Sequence, residues 1–64
     1  MNKERETAAV IQIAEELYGN LPITQVRAIV ACWFGTDDEY TDLDDHIKVM
    51  DVGNIFYERY GNND

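Results

Sequence analysis

The stretch IKVMDVGNIFYERY, residues 47–60, decides the fold of this chain, because it fits two different secondary structures. Its bulky apolar residues lie three or four positions apart, the spacing of one face of an α-helix: Val49, Val52, Phe56 and Tyr60. The dipeptide Gly53-Asn54, however, is also a recognised turn between two β-strands. We predict a helix for two reasons. Apolar and polar residues alternate here less regularly than the strands of a hairpin require, and a hairpin places Lys48 across from Arg59, a pair of like charges.

Two more helices are predicted by a pattern that recurs upstream. A bulky pair, a glycine and a small polar residue occur together three times: LYGN at 17–20, WFGT at 33–36 and RYGN at 59–62. Such a pattern is typical of helix C-termini, where glycine adopts the left-handed conformation at little cost. The fold class predicted from these three stops is all-α, a compact three-helix domain spanning residues 1–64.

The predicted helix bounds follow from caps and periodicity. The first helix covers about residues 3–18, and the second about 24–34 with Thr24 or a neighbour as N-cap. The third begins at either Thr36 or Thr41, since each opens a capping motif. The apolar stripes are Val10, Ile13, Ala14 and Leu17 on the first helix, Val26, Ile29, Val30 and Trp33 on the second, and, beside the stripe given above, Leu43, Ile47 and Met50 on the third.

The alternative fold is α+β, with two helices followed by a β-hairpin at residues 47–60. In that form the chain resembles the front half of the HU/IHF histone-like family, in which a V-x-L-x-G-F-G-x-F strand pair follows the second helix. Gly53 matches that motif, and Val52 and Ile55 are conservative replacements, whereas Asp51 stands where the family has glycine. The family's long basic arm is missing and the charge is reversed, so the resemblance implies a fold and not DNA bending.

Length and composition narrow the class of protein. A chain of 64 residues forms one domain, and its single cysteine, Cys32, excludes an internal disulfide. Cys32 lies between apolar residues, so we expect a buried, inert thiol. The sequence shows no signal peptide and no run of about 20 apolar residues that spans a membrane. With a free thiol, this pattern predicts a cytoplasmic protein.

The charge is unevenly distributed along the chain. The net charge is −8, of which residues 37–64 contribute −7, from nine acidic residues against Lys48 and Arg59. Binding to nucleic acid or to an anionic membrane needs clustered Lys and Arg, so this composition argues against both. It favours a basic protein as the partner.

Six of the 13 acidic residues form one run, GTDDEYTDLDDH, at residues 35–46. If a helix begins at Thr36, Asp38, Asp42 and Asp45 share one face about 5–6 Å apart, close to phosphate spacing along a nucleic-acid strand. Three interpretations stay open: a strongly capped and soluble helix start, a nucleic-acid-mimicking surface, and weak cation binding. The candidate partner-binding residues are Asp37, Asp38, Glu39, Tyr40, Asp42, Asp44 and Asp45.

The functional prediction is a binding module and not an enzyme, because no nucleophile and base are paired in the sequence. The module is expected to occupy a basic, nucleic-acid-binding surface of a partner protein. In composition it resembles the small acidic inhibitors that phages direct against restriction, CRISPR or nucleoid proteins. The alternative is a homodimerising structural or regulatory protein without mimicry, and a homodimer is expected in either case. No cofactor or metal is predicted, and His46 is expected at the surface.

Overall fold

The computed structural model describes residues 1–36 and 41–61. They form three helices, α1 at Lys3–Tyr18, α2 at Ile23–Phe34 and α3 at Leu43–Tyr60. The predicted all-α three-helix fold is confirmed. The β-hairpin alternative is wrong, because residues 47–60 lie entirely within α3, and the HU/IHF resemblance loses its structural basis with it.

The first helix begins and ends where the sequence predicts. The side chain of Asn2 caps it by accepting a hydrogen bond from the backbone N–H of Arg5 at 2.8 Å. Glu4 and Glu6 occupy its first turn, where the helix dipole favours negative charge. Gly19 then ends the helix at φ +81°, a backbone conformation that favours glycine.

The second helix starts one residue earlier than predicted, and its cap differs. Pro22 is the N-cap, and its carbonyl accepts hydrogen bonds from the N–H groups of Gln25 and Val26, both at 3.0 Å. Thr24, the predicted cap, lies inside the helix, because Pro22 at φ −58° already directs the chain into it. Gly35 closes the helix in the left-handed conformation at φ +67°.

The third helix begins at neither predicted threonine. Asp42 is the N-cap and Leu43 the first helical residue, so α3 does not begin at Thr36. A separate turn predicted from Thr36 falls on residues 37–40, outside the described residues. The predicted end at Tyr60 is confirmed. The next residue, Gly61, has φ −67° and is right-handed. Of the three glycines expected to be left-handed, Gly19 and Gly35 have positive φ, and only Gly35 has the left-handed helical conformation.

The core lies between α3 and the other two helices. Its buried cluster draws on all three: Ala9, Val10, Ile13, Ala14, Ile29, Val52 and Phe56. Trp33 of α2 packs against it, with its ring centroid 4.9 Å from that of Phe56. Trp33 Nε1 also donates a 2.6 Å hydrogen bond to Glu6 Oε2 of α1, so this side chain joins all three helices.

Two of the predicted stripes are only partly buried. Leu17 was predicted in the core with Val10 and Ile13, but it is 40% exposed. On α3, the stripe that contains Val52 and Phe56 faces the core, whereas Leu43, Ile47 and Met50 are 75%, 50% and 70% exposed. A helix that is apolar on two sides therefore has only one side covered within this chain.

Replacing Gly53 by alanine is expected to stabilise the protein by about 0.5–1 kcal/mol. Glycine inside a helix costs about that much relative to alanine. A Cβ at position 53 lies 3.5 Å from the Trp33 ring, an ordinary van der Waals contact. Urea unfolding followed by circular dichroism measures the gain, and a loss of stability instead means that Trp33 needs closer contact with the backbone.

Candidate functional site

The predicted partner-binding residues fall into two groups. Four of them lie outside the described residues: Asp37, Asp38, Glu39 and Tyr40. The other three, Asp42, Asp44 and Asp45, lie at the start of α3. The structure therefore describes one end of the acidic run and shows what each carboxylate there does.

Asp42 and Asp45 form a reciprocal capping box. Asp42 Oδ1 accepts a hydrogen bond from the backbone N–H of Asp45 at 3.0 Å, and Asp45 Oδ2 accepts one from the N–H of Asp42 at 3.2 Å. Asp45 is only 7% exposed. Of these two, Asp42 alone is exposed to a partner, and Asp45 holds the helix start in place.

Asp42 does not share a helical face with Asp45, and Asp38, the third residue proposed for that face, lies outside the described residues. Asp42 has φ −120° and ψ −177°, which is extended backbone and not helix. The spacing of a continuous helix therefore cannot apply across residue 42. The exposed acids of the described part of α3 are instead Asp44, Asp51 and Glu58. Their seven-residue spacing puts them about 10.5 Å apart along one side of the helix.

Residues 37–64, the acidic half of the chain, contain two basic residues, and both form ion pairs within the chain. Lys48 Nζ forms an ion pair with Asp44 Oδ2 one turn away and lies 5.2 Å from the centre of the Tyr18 ring. Arg59 binds Glu16 of α1 through two hydrogen bonds, at 2.7 and 3.2 Å. Residues 37–64 contain no further Lys or Arg that could pair with the other exposed carboxylates of α3.

The hydroxyl of Tyr18 donates a 3.1 Å hydrogen bond to Asp51 Oδ2 of α3. Burial raises the pKa of Tyr18, and the hydrogen bond and negative charge of Asp51 raise it further. The contact keeps Tyr18 protonated and fixes the end of α1 against the middle of α3.

The pairing of Arg59 with Glu16 predicts a small loss of stability in acid. The hydrogen bond from Arg59 lowers the pKa of Glu16 below its ordinary value of 4.5. A carboxylate with a lowered pKa in the folded state stabilises that state above its unfolded pKa. The contribution is lost as the pH falls through the folded pKa. We expect Glu16→Gln to flatten the decline of stability below pH 4.5, whereas Glu15→Gln leaves the decline unchanged.

The start of α3 also brings together three carboxylates whose oxygens lie within 4.8 Å of one another, those of Asp42, Asp44 and Asp45. Each already has a donor within the chain: two accept backbone N–H groups of the capping box, and Asp44 pairs with Lys48. Helix capping therefore explains the cluster without a cation.

The environment predicted for Cys32 is wrong. The residue is half-buried, and its Sγ lies 3.0 Å from Nδ1 of His46, which comes from the first turn of α3. Nε2 of the same ring lies 3.4 Å from Oγ1 of Thr41. The pair is not apparent from the sequence, because the two residues are 14 positions apart and meet only when α2 packs beside the start of α3.

This contact changes the expected reactivity of the thiol. An imidazole within hydrogen-bonding distance favours the thiolate, the form that reacts with electrophiles. We expect His46→Ala to slow the labelling of Cys32 by a maleimide at pH 7 several-fold, while an exposed change such as Glu58→Ala has no effect. Equal labelling rates for all three proteins contradict an activating role and restore the expectation of an inert thiol.

An exposed apolar stripe on α3 is a second candidate binding surface, and its residues belong to the apolar pattern of residues 43–60 from which the homodimer is predicted. We define the α3 stripe as five exposed side chains of this helix: Leu43, Ile47, Met50, Asn54 and Tyr57. Their spacing alternates between four and three residues, which is the seam spacing of a coiled coil. This spacing can be read from the sequence, but Asn54 interrupts the apolar pattern.

Within residues 1–36 and 41–61, no helix has the length and apolar character needed to cross a membrane. Comparison of the chain with protein-family models, with curated proteins and with solved structures finds no match. The class that fold and surface define is a small three-helix domain with an acidic, partly apolar third helix.

Proposed function

We propose that the protein is an acidic binding module that occupies a basic, nucleic-acid-binding surface of a partner protein. In this proposal it acts as an inhibitor by nucleic-acid mimicry, in the style of small phage proteins. Its carboxylates contact Lys and Arg of the partner and so exclude nucleic acid from that surface. The reducing cytoplasm is the proposed setting, since Cys32 is not in a disulfide.

One observation carries the proposal: residues 37–64 carry a net charge of −7, and among the described residues the exposed carboxylates of this part of the chain outnumber its two cations. Lys48 and Arg59 are the basic residues of this half, and both are already paired with carboxylates. Asp42, Asp51 and Glu58 remain exposed. A surface of one sign attracts a partner of the opposite sign and speeds its association.

The proposed contact also includes residues 37–40 of the acidic run, which precede α3 in the sequence. Asp37, Asp38 and Glu39 carry charge, and Tyr40 adds an aromatic side chain of the kind enriched at protein interfaces. We propose that these four residues and Asp42 form the centre of the contact, with Asp44 at its edge, and that Asp45 supports it through the capping box.

The test is competition with DNA. The immobilised protein is exposed to a bacterial lysate at about 50 mM salt, and bound proteins are eluted at about 500 mM and identified. Each captured protein is then titrated with a fluorescent DNA duplex in the presence and absence of the 64-residue protein. We expect DNA to be displaced, with an apparent affinity that falls steeply as salt rises. A captured protein that binds the duplex and this chain together contradicts mimicry.

A matched pair of variants locates the surface. Asp38→Asn with Asp42→Asn removes two charges and keeps a good N-cap, because asparagine caps helices as well as aspartate. Glu4→Gln with Glu15→Gln removes two exposed charges from α1. We expect the first pair to weaken the competition about tenfold, as for two charge pairs of up to about 1 kcal/mol each. The second pair is expected to change it less than twofold, and equal effects exclude the acidic run as the contact.

A second candidate function is homodimerisation in a structural or regulatory role without mimicry. The observation that favours it is the exposed α3 stripe, since large apolar side chains on one face of a helix are typical of an interaction surface. We propose the homodimer for both candidate functions, so the DNA competition assay separates them.

A further inference from the structure

We infer that the α3 stripe is the dimer interface and that two copies of α3 pair there in parallel, about a two-fold axis along the helices. The inference specifies the dimer proposed above and rests on that part of the proposal. It is independent of mimicry, because the stripe and the residues that carry the competition with DNA are different.

The stripe has the position and composition of a coiled-coil seam. Leu43, Ile47 and Met50 lie on the side of α3 away from the buried residues and are 50–75% exposed. The Tyr57 ring stacks on Trp33 of α2, with 6.0 Å between the ring centroids, but is still 64% exposed. In heptad terms, Ile47 and Asn54 take the a positions. Leu43, Met50 and Tyr57 take the d positions. A β-branched residue at a with leucine at d favours two parallel strands.

Asn54 indicates that the occupant is a second copy of the chain. It is exposed, and it interrupts an otherwise apolar stripe at an a position. A polar asparagine at a single a position fixes register and two-stranded pairing, because two asparagines across the axis each offer a donor and an acceptor. A partner with an apolar residue there leaves the Asn54 amide unpaired and buried, which is costly.

The charges beside the stripe select the parallel orientation. Asp44, Asp51 and Glu58 occupy the e positions on one side of it, and His46, Gly53 and Tyr60 occupy the g positions on the other. An antiparallel pair brings e positions against e positions, so carboxylates face carboxylates. A parallel pair brings g against e, which places His46 beside Asp51 of the second copy and keeps the two acidic rows apart.

The expected dimer is weak and depends on salt in a distinctive way. The stripe covers about 21 Å of helix, the rise over 14 residues. We expect a dissociation constant in roughly the micromolar range, since a seam of two heptads is at the low end of interface size. Each copy carries −8, so screening the repulsion tightens the dimer as salt rises. The complex with a basic partner responds in the opposite direction.

Sedimentation equilibrium at 1–100 µM protein, at low and high salt, tests the interface with one matched pair of variants. Met50→Asp puts a charge in the seam, and Ile23→Asp puts the same charge on α2 at a side chain that is 67% exposed. We expect Met50→Asp to weaken the dimer at least tenfold with helicity unchanged, and Ile23→Asp to leave it intact. A wild-type monomer at every salt concentration rules out the dimer, and a dimer that survives Met50→Asp rules out this seam.

Cysteine crosslinking tests the orientation. In a Cys32→Ala background, Leu43→Cys lies opposite its own copy in a parallel pair. In an antiparallel pair, where a positions pack against d positions, it lies opposite Asn54 of the second copy. Rapid disulfide formation by Leu43→Cys alone is the expected result. If Leu43→Cys and Asn54→Cys crosslink only when mixed, the pair is antiparallel and the inferred orientation is wrong.

Discussion

Replacing Phe56 by alanine is expected to remove most of the free energy of unfolding. The ring is 7% exposed, and its centroid lies within 4.9–5.4 Å of the rings of Trp33, Tyr57 and Tyr60. Truncation of a buried phenylalanine costs about 3–5 kcal/mol. A domain of this length holds roughly 3–10 kcal/mol in all. We therefore expect a variant that is largely unfolded at 37 °C.

Urea unfolding of Phe56→Ala, followed by circular dichroism and by the fluorescence of Trp33, measures this loss. Met50→Ala is the matched control on the same helix, because Met50 is 70% exposed. At protein concentrations too low for dimerisation, it is expected to change the free energy of unfolding by about 0.5 kcal/mol or less. Similar losses for the two variants contradict the assignment of one face of α3 to the core and the other to the surface.

Replacing Ile13 by alanine is the second large effect that we expect. Ile13 is 1% exposed and lies in the buried cluster with residues from α2 and α3. Loss of a buried isoleucine side chain costs about 2–5 kcal/mol, depending on how far the surroundings close over the cavity. The midpoint of urea unfolding is therefore expected to fall sharply.

Leu17→Ala provides the comparison on the same helix. Periodicity places Leu17 in one stripe with Ile13, but the structure leaves Leu17 40% exposed. We expect this change to cost less than about 1 kcal/mol, since part of the side chain is already in water. A loss equal to that of Ile13→Ala shows that the periodicity, and not the observed burial, describes this end of α1.

The three helices were predictable because their signals are local. Gly19 and Gly35 mark two helix ends, and apolar spacing marks each buried face. The start of α3 was harder, since Thr36, Thr41 and Asp42 are all reasonable caps. The reciprocal hydrogen bonds between Asp42 and Asp45 decide among them, and only coordinates show which pair forms.

The candidate site was less predictable, because its contacts join distant parts of the chain. Arg59 and Glu16 are 43 positions apart, and periodicity within one helix carries no information about such a pair. The contact between Cys32 and His46 also joins two helices, so the periodicity of neither helix indicates it. The concentration of negative charge is evident from the sequence alone. Which carboxylates form caps and ion pairs, and which remain exposed, is evident only from the structure.

The central place of α3 also has a consequence for synthesis. α1 and α2 each make most of their contacts with α3 and few with each other. While a ribosome makes the chain, residues 1–36 therefore emerge before the helix that covers their apolar faces. At about 5–20 residues per second, residues 37–61 take roughly 1–5 seconds to follow. During that interval Val10, Ile13 and Ile29 lack their α3 partners, so their apolar side chains stay uncovered on that side until the third helix is made.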